Sequence, residues 1–454
     1  MEPTRLEIKN IPQETIVFGF TGPLGSGCTF FAKEIADQNN YLYVTLTDPI
    51  NEEIKKQGLE GTPEDRQNIG NFLRRKNQDP GYLVRAVVEK ANEDSGWRAE
   101  PAKRWKGLVL DGIRNTGEVY YLRQFRYSLL IAVHANSDKR RSRLKANDKI
   151  KSDEQFKSVD ERDSEERGLY GQQVEKCTYL ADVIINNEQD IPKAAEDKKA
   201  SHVRDYMNRY VSLMTGLIQD KLIYEYSPLV HEACMTMAYC VSKRSLCLKR
   251  KVGAVIATED GELLSSGYNH VPESIKDCVL DIDLEQCARD KLQQRFAEGL
   301  KYCPFCGTQL PSIFKCSNCE RELGRYYKIC PFCRKEADIA FTCEKCKTPV
   351  FEDYLPGGKP ELGKLLDVCR SLHAEEMAII NLAKGTKAIT KDAVLYTTTF
   401  PCNLCANKIV AVGINKVVFA EAYPMKEAIA ILKGKVETQK FEGVKSSAFF
   451  HLYR

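Results

Sequence analysis

Five C-x-x-C pairs, Cys303/Cys306, Cys316/Cys319, Cys330/Cys333, Cys343/Cys346 and Cys402/Cys405, account for ten of the 18 cysteines in the chain. Thiolates three positions apart suit a tetrahedral zinc ion. Disulfides are the poorer reading, because nothing in the sequence points to export. The opening segment MEPTRLEIKNIPQETIVFGF lacks the basic-then-apolar order of a signal peptide, and no apolar run approaches the roughly 20 residues that span a bilayer. A cytoplasmic protein without a membrane segment is expected.

Four of the pairs form an internal repeat. YCPFCGTQLPSIFKCSNC (302–319) is echoed by ICPFCRKEADIAFTCEKC (329–346), each with the spacing C-x2-C-x9-C-x2-C. Each copy can close one site of four cysteine ligands, so two structural zinc ions are expected. A segment of about 50 residues with few apolar groups needs metal to fold. Its aromatics alternate with Lys and Arg, which leaves two roles open. It is a regulatory module for RNA or protein, or a self-stabilised pair of knuckles that supports an oligomer.

The fifth pair belongs to a different constellation. His373-Ala374-Glu375 is followed by Pro401-Cys402-Asn403-Leu404-Cys405, an H-x-E and P-C-x-x-C order found in zinc deaminases. His373, Cys402 and Cys405 supply three ligands and leave the fourth position for water. Zinc lowers the pKa of that water to about 7. Glu375 is the general acid/base that shuttles protons to the ring nitrogen and the departing amine. The hairpin VGAVIAT…GELLSSGYN places Asn269 in a third piece, Gly267-Tyr268-Asn269. Arg244, Lys249, Arg250 and Lys251 precede or open this hairpin and are candidates for a substrate phosphate.

The 454 residues, 43% hydrophobic, allow two to four domains, and a formal charge of +4 does not suggest a chain built to coat nucleic acid. In the N-terminal part, apolar runs at 16–21, 41–46, 107–111, 128–135 and 180–187 alternate with helical patterns. This order implies a parallel α/β sheet. After the first strand come Gly22, Gly25, Ser26, Gly27, Cys28 and Thr29, in the G-x-x-x-x-G-x-[ST] frame of a P-loop. Its backbone amides can cradle phosphate and Thr29 can hold Mg²⁺, with Asp111 as a Walker-B-type carboxylate. Cys28 stands where the phosphate-binding Lys belongs, which argues for nucleotide binding without efficient phosphoryl transfer. Arg114 and the Arg140, Arg141 and Arg143 cluster resemble phosphate-side and lid residues of nucleoside-monophosphate kinases. A domain at 1–220 and a second at 226–454, interrupted by the Cys-rich insertion at 300–350, are expected.

The blocks RKVGAVIA, GYNHVP, LHAEEMAI, LYTTTFPCNLCANKI and GINKVVF resemble the deoxycytidylate deaminase family over about 226–425, apart from the insertion. The resemblance implies a cytidine-deaminase-like α/β/α domain and a contact from Asn269 to the substrate sugar. His270 stands where that family commonly has Gly. With the P-loop domain and the tail FEGVKSSAFFHLYR, the whole chain is similar to bacterial anti-phage deoxycytidine nucleotide deaminases. That similarity implies conversion of dCTP and dCMP to dUTP and dUMP. A polynucleotide cytosine deaminase, and a nucleotide-sensing regulator built on the P-loop domain, are the competing readings.

Overall fold

A computed structural model describes residues 10–188 apart from 165 and 167, then 208–216, 227–272, 369–385, 392–421 and 426–452, with isolated positions between 275 and 350. The chain divides into two units. One comprises residues 1–240, 255–264 and 389–454, and the other 241–254 and 265–388.

The N-terminal sheet contains β1 (Ile16–Thr21), β2 (Tyr41–Thr45), β3 (Gly107–Ile113), β4 (Tyr127–His134) and β5 (Val183–Asn186). All six residues of β1 are buried. A parallel sheet covered on both faces reads as such a continuous apolar run. Val17, Leu108 and Leu130 enter one core, while Phe18, Val109 and Ile131 enter the other. β1 pairs in parallel with β3 on one side and β4 on the other. The chain therefore reverses its direction of build at β1, and ligand sites of open α/β sheets lie at the carboxyl ends of strands at such a switch.

A second sheet is built from β6 (Gly253–Thr258), β7 (Leu263–Tyr268), β12 (Ala393–Thr399), β13 (Lys416–Glu421) and β14 (Glu437–Lys440). Its strand order is β14-β13-β12-β6-β7. β12, β13 and β14 are mutually parallel in sequence order.

In the Cys-rich insertion, β8 (Phe314–Lys315) pairs antiparallel with β9 (Glu322–Leu323), and β10 (Phe341–Thr342) with β11 (Pro349–Val350). The two ladders fall at matching positions of the two repeat copies, and each brackets the second C-x-x-C of its copy in sequence.

A sixth strand completes the N-terminal sheet from an unexpected place. β15 (Gly443–Val444) runs antiparallel to β5. Val444 and, from the helix Ser446–Leu452, Ala448 and Leu452 join the same core as Phe18 and Phe31. Periodicity does not reveal this strand, because two residues carry no pattern. β14 ends at Lys440 and β15 begins at Gly443, so two residues separate strands of different sheets. Among the described residues, no helix is long and apolar enough to cross a membrane.

Candidate active site

His373 and Glu375 are placed by the start of a helix, Ala374–Lys384, with His373 as its N-cap residue. The His373 N–H donates to the Glu376 carboxylate at 3.4 Å, so an acidic residue closes the first turn. Glu375 lies in that turn and is 4% exposed. The helix is seated on β7. An added Cβ on Gly267 would collide with the backbone of Ala374 and Ala378, and would lie 2.8 Å from the Met377 carbonyl carbon. Only glycine admits this approach. On either side, the Ser265 hydroxyl donates to the Ala378 carbonyl, and the Asn381 amide donates to the Ser266 carbonyl at 2.8 Å. An antiparallel bridge joins His270 to Leu372, whose N–H donates to the His270 carbonyl at 2.9 Å, one residue before His373.

Cys402 and Cys405 come from the strand-to-helix turn after β12. Cys402 is the N-cap of the helix Asn403–Ala411, and its sulfur accepts the Cys405 N–H at 3.5 Å. A helix N-terminus favours the thiolate form. The ligand atoms of His373, Cys402 and Cys405 all lie within 4.8 Å of one another. One imidazole and two thiols at that separation match a zinc donor set with one position left for a further ligand.

Asn269 is buried and holds the approach to β6. Its Oδ1 accepts the Val252 N–H at 2.7 Å and its Nδ2 donates to the Arg250 carbonyl at 2.9 Å. One amide hydrogen and one lone pair remain by its donor and acceptor count. The Arg244 guanidinium stacks over Tyr268 at 4.7 Å, and the Tyr268 and His270 rings are 4.9 Å apart. Lys249, Arg250 and Lys251, just before β6, are all exposed. Of the knuckle cysteines, Cys303, Cys306, Cys316, Cys330, Cys343 and Cys346 lie outside the described residues. Cys319 and Cys333 are half-buried.

In the N-terminal sheet, β1 runs into the glycine-rich loop, and Gly27 caps the helix Cys28–Asn39. Gly22, Gly25 and Gly27 adopt φ of 155°, 84° and 103°, and the last two lie well inside the left-handed region that favours glycine. A Cβ at Gly22 would also collide with the Val133 carbonyl. Thr29 Oγ1 and the Tyr43 hydroxyl each donate to Asp111 Oδ2 at 2.7 Å. Burial, then Asp111, pushes the Cys28 thiol up to about 12, so it is neutral at physiological pH. Ser26 Oγ lies 3.4 Å from its sulfur.

The arginines expected to form a lid hold the loop by its carbonyls. Arg140 reaches Leu24 O at 3.3 Å and forms an ion pair with Asp160. Arg143 donates to Asn187 O at 2.7 Å, and the Asn187 amide donates to Ser26 O at 2.7 Å. Arg141 pairs with Asp138 and Asp153. Arg114 pairs with Asp163, a residue that sequence reasoning passes over inside a long charged run.

A parallel sheet led by a glycine-rich loop, and a second sheet whose helix starts gather His and Cys side chains, define a kinase-like α/β domain and a cytidine-deaminase-like domain in one chain. The chain belongs to the UPF0200 family through its N-terminal region. A UPF0200 protein of Methanocaldococcus jannaschii is 31% identical over 174 residues, 38% of this chain and 82% of that protein. Residues 229–421 match the cytidine and deoxycytidylate deaminase zinc-binding region. A deoxycytidylate deaminase of Schizosaccharomyces pombe is 27% identical over 198 residues, 44% of this chain, and the match spans only 39% of that enzyme. A solved dCMP deaminase from the cyanophage S-TIM5 is 20% identical, covering 48% of this chain and 99% of that one, with a TM-score of 0.26.

Proposed function

We propose that this protein hydrolytically deaminates deoxycytidine nucleotides, dCTP or dCMP, to the uracil nucleotide and ammonia. The observation that carries the proposal is the convergence of His373, Cys402 and Cys405 beside a buried carboxylate, Glu375, in the first turn of the helix that His373 caps. Zinc held by those three residues would supply a water acidified to near neutrality. Glu375 moves the protons. Its carboxylate accepts one from the water nucleophile and delivers it to the pyrimidine N3, then takes the second from the hydroxyl added at C4 and gives it to the amine, so that the C4–N bond breaks to release ammonia as the C4 carbonyl forms. Water adds and ammonia departs, so the pyrimidine gains an oxygen and loses a nitrogen without redox change.

Asn269 anchors the sugar side through its remaining hydrogen-bond capacity, and Arg244, stacked on Tyr268, is a candidate cation for a phosphate together with Lys249, Arg250 and Lys251. The N-terminal domain binds a nucleotide without turning it over, since Cys28 brings no positive charge. The two knuckles each hold a structural zinc. Depletion of a replication precursor during phage infection is the biological role that fits this chemistry.

The test is purified full-length protein with dCTP, dCMP, CTP and a cytosine-containing single strand, assayed for ammonia and uracil products. Turnover of a deoxynucleotide is expected. Turnover of the single strand alone would establish the polynucleotide reading instead. Glu375→Ala is expected to keep zinc and fold while losing at least about 10²–10⁴-fold in rate. Wild-type turnover in that variant would remove Glu375 from its role.

A further inference from the structure

The phosphate loop of the N-terminal domain already holds an anion of the protein's own. Asp163 is 1% exposed. Its Oδ2 accepts the Leu24 N–H at 2.9 Å, and its Oδ1 is paired with the Arg114 guanidinium. Leu24 lies inside the glycine-rich loop, where backbone N–H groups would otherwise face a phosphate. Arg114 follows the strand that carries Asp111, on the side where a nucleotide's phosphates would lie. A carboxylate thus takes one loop amide and one arginine, two donors of the kind that bind phosphate in such loops.

We propose that Asp163 is an internal occupant of the loop's anion position, and that a phosphate-bearing ligand enters by displacing it together with the helix Asp153–Ser164 that carries it. This rests on the nucleotide-binding reading of the N-terminal domain. Phosphate and Asp163 exclude each other, because like charges brought together in a buried site are strongly unfavourable. Asp111 already lies nearby, and Cys28 contributes no cation to offset a further negative charge. Exchange of one anion for the other keeps Leu24 N–H and Arg114 satisfied, so the exchange is decided by how firmly the helix is docked.

That docking is modest and local. Phe156 packs in a small cluster with Leu144 and Ile150, against Leu24, separate from the two large cores. Val159 is buried as well, and the other ties are polar, among them Arg140 to Asp160, Lys145 and Arg141 to Asp153, Gln155 to Glu64 at 3.0 Å, Gln67 to the Val159 carbonyl at 3.0 Å, and Arg162 to Asn68 at 2.8 Å. A helix held mainly by polar ties and a few apolar residues belongs to the low-stability end of a fold, from which moving elements are drawn. Occupancy of the loop is thereby converted into release of a helix.

The experiment uses zinc-loaded full-length protein and inorganic pyrophosphate, with calorimetry for affinity and amide hydrogen exchange to locate the effect. Asp163→Asn keeps the shape and removes the charge. It is expected to bind pyrophosphate roughly ten- to a hundredfold tighter than wild type. In wild type, saturating pyrophosphate should protect residues 22–29 and speed exchange in residues 153–164. Glu161→Gln removes the same charge from an exposed site on the same helix and should leave affinity unchanged. Equal or weaker binding by Asp163→Asn, or binding without faster exchange in 153–164, overturns the proposal while leaving nucleotide binding intact. Absence of loop protection in both proteins at millimolar pyrophosphate overturns the nucleotide-binding reading and this inference together.

Discussion

Asn186 and Lys440 are 254 residues apart in sequence, yet the Asn186 side-chain amide donates to the Lys440 carbonyl at 2.7 Å. This ties the end of β5 to the end of β14. The neighbouring residue, Asn187, holds the glycine-rich loop at Ser26. Consecutive residues therefore touch the P-loop and the last strand of the second sheet.

Close to this junction, Glu232 is fully buried and accepts from Arg209, the Leu229 N–H and the Val444 N–H. Arg209→Ala strands a buried carboxylate and is expected to cost about 3–5 kcal/mol. Chemical denaturation with zinc present checks this. A loss below about 1 kcal/mol, the scale of one ordinary hydrogen bond, would show that the carboxylate is satisfied without its arginine.

Gly267→Ala should be disproportionately damaging for one methyl group. The added carbon meets backbone, which cannot rotate away. A cost of about 3 kcal/mol is expected, with weakened zinc retention because the displaced helix begins at the His373 cap. Thermal unfolding and metal content in parallel report both effects.

Metal stoichiometry separates the two kinds of cysteine pair. Three zinc ions per chain are expected by elemental analysis. Cys303→Ser combined with Cys330→Ser should leave one, together with deaminase activity in any variant that remains folded. A wild-type value of one would mean the repeats are not metal modules.

Burial raises the Glu442 carboxyl from its usual 4.5 to about 7, opposed only in part by the Asn186 N–H. The native state thus holds a proton that the unfolded chain releases near pH 4.5. Stability from this group is complete below that pH and is lost as pH rises to about 7. Glu442→Gln should flatten this segment of the stability profile relative to wild type, measured by melting temperature at fixed zinc. Parallel profiles for the two proteins would rule the effect out.

The sequence reveals most of the scaffold where burial writes a pattern. β1 and β12 are buried throughout, so each reads as an apolar or β-branched run. The ligands are legible because H-x-E and P-C-x-x-C each mark a helix start, where two or three residues suffice to aim side chains at one point. β14 is illegible because Glu437–Lys440 is a polar edge strand with three of four residues exposed. Asp163 is hidden among charged neighbours of the same helix, and nothing local distinguishes the one carboxylate that turns into the loop. Arg140 and Arg143 read as lid cations from their charge, whereas the fold employs them on carbonyls of the loop and of Asn187 beside it.

The passage from β14 to β15 has a consequence for how the molecule is made. Synthesis runs from the amino end, so β1 to β5 emerge long before Gly443 and Val444, the residues that close their sheet. Until then β5 lacks this antiparallel partner, and the first sheet waits for a strand made after the strands of the second. Closure of the first sheet thus follows synthesis of the second, and a nascent chain cannot pair β5 with β15 before β12, β13 and β14 have been made.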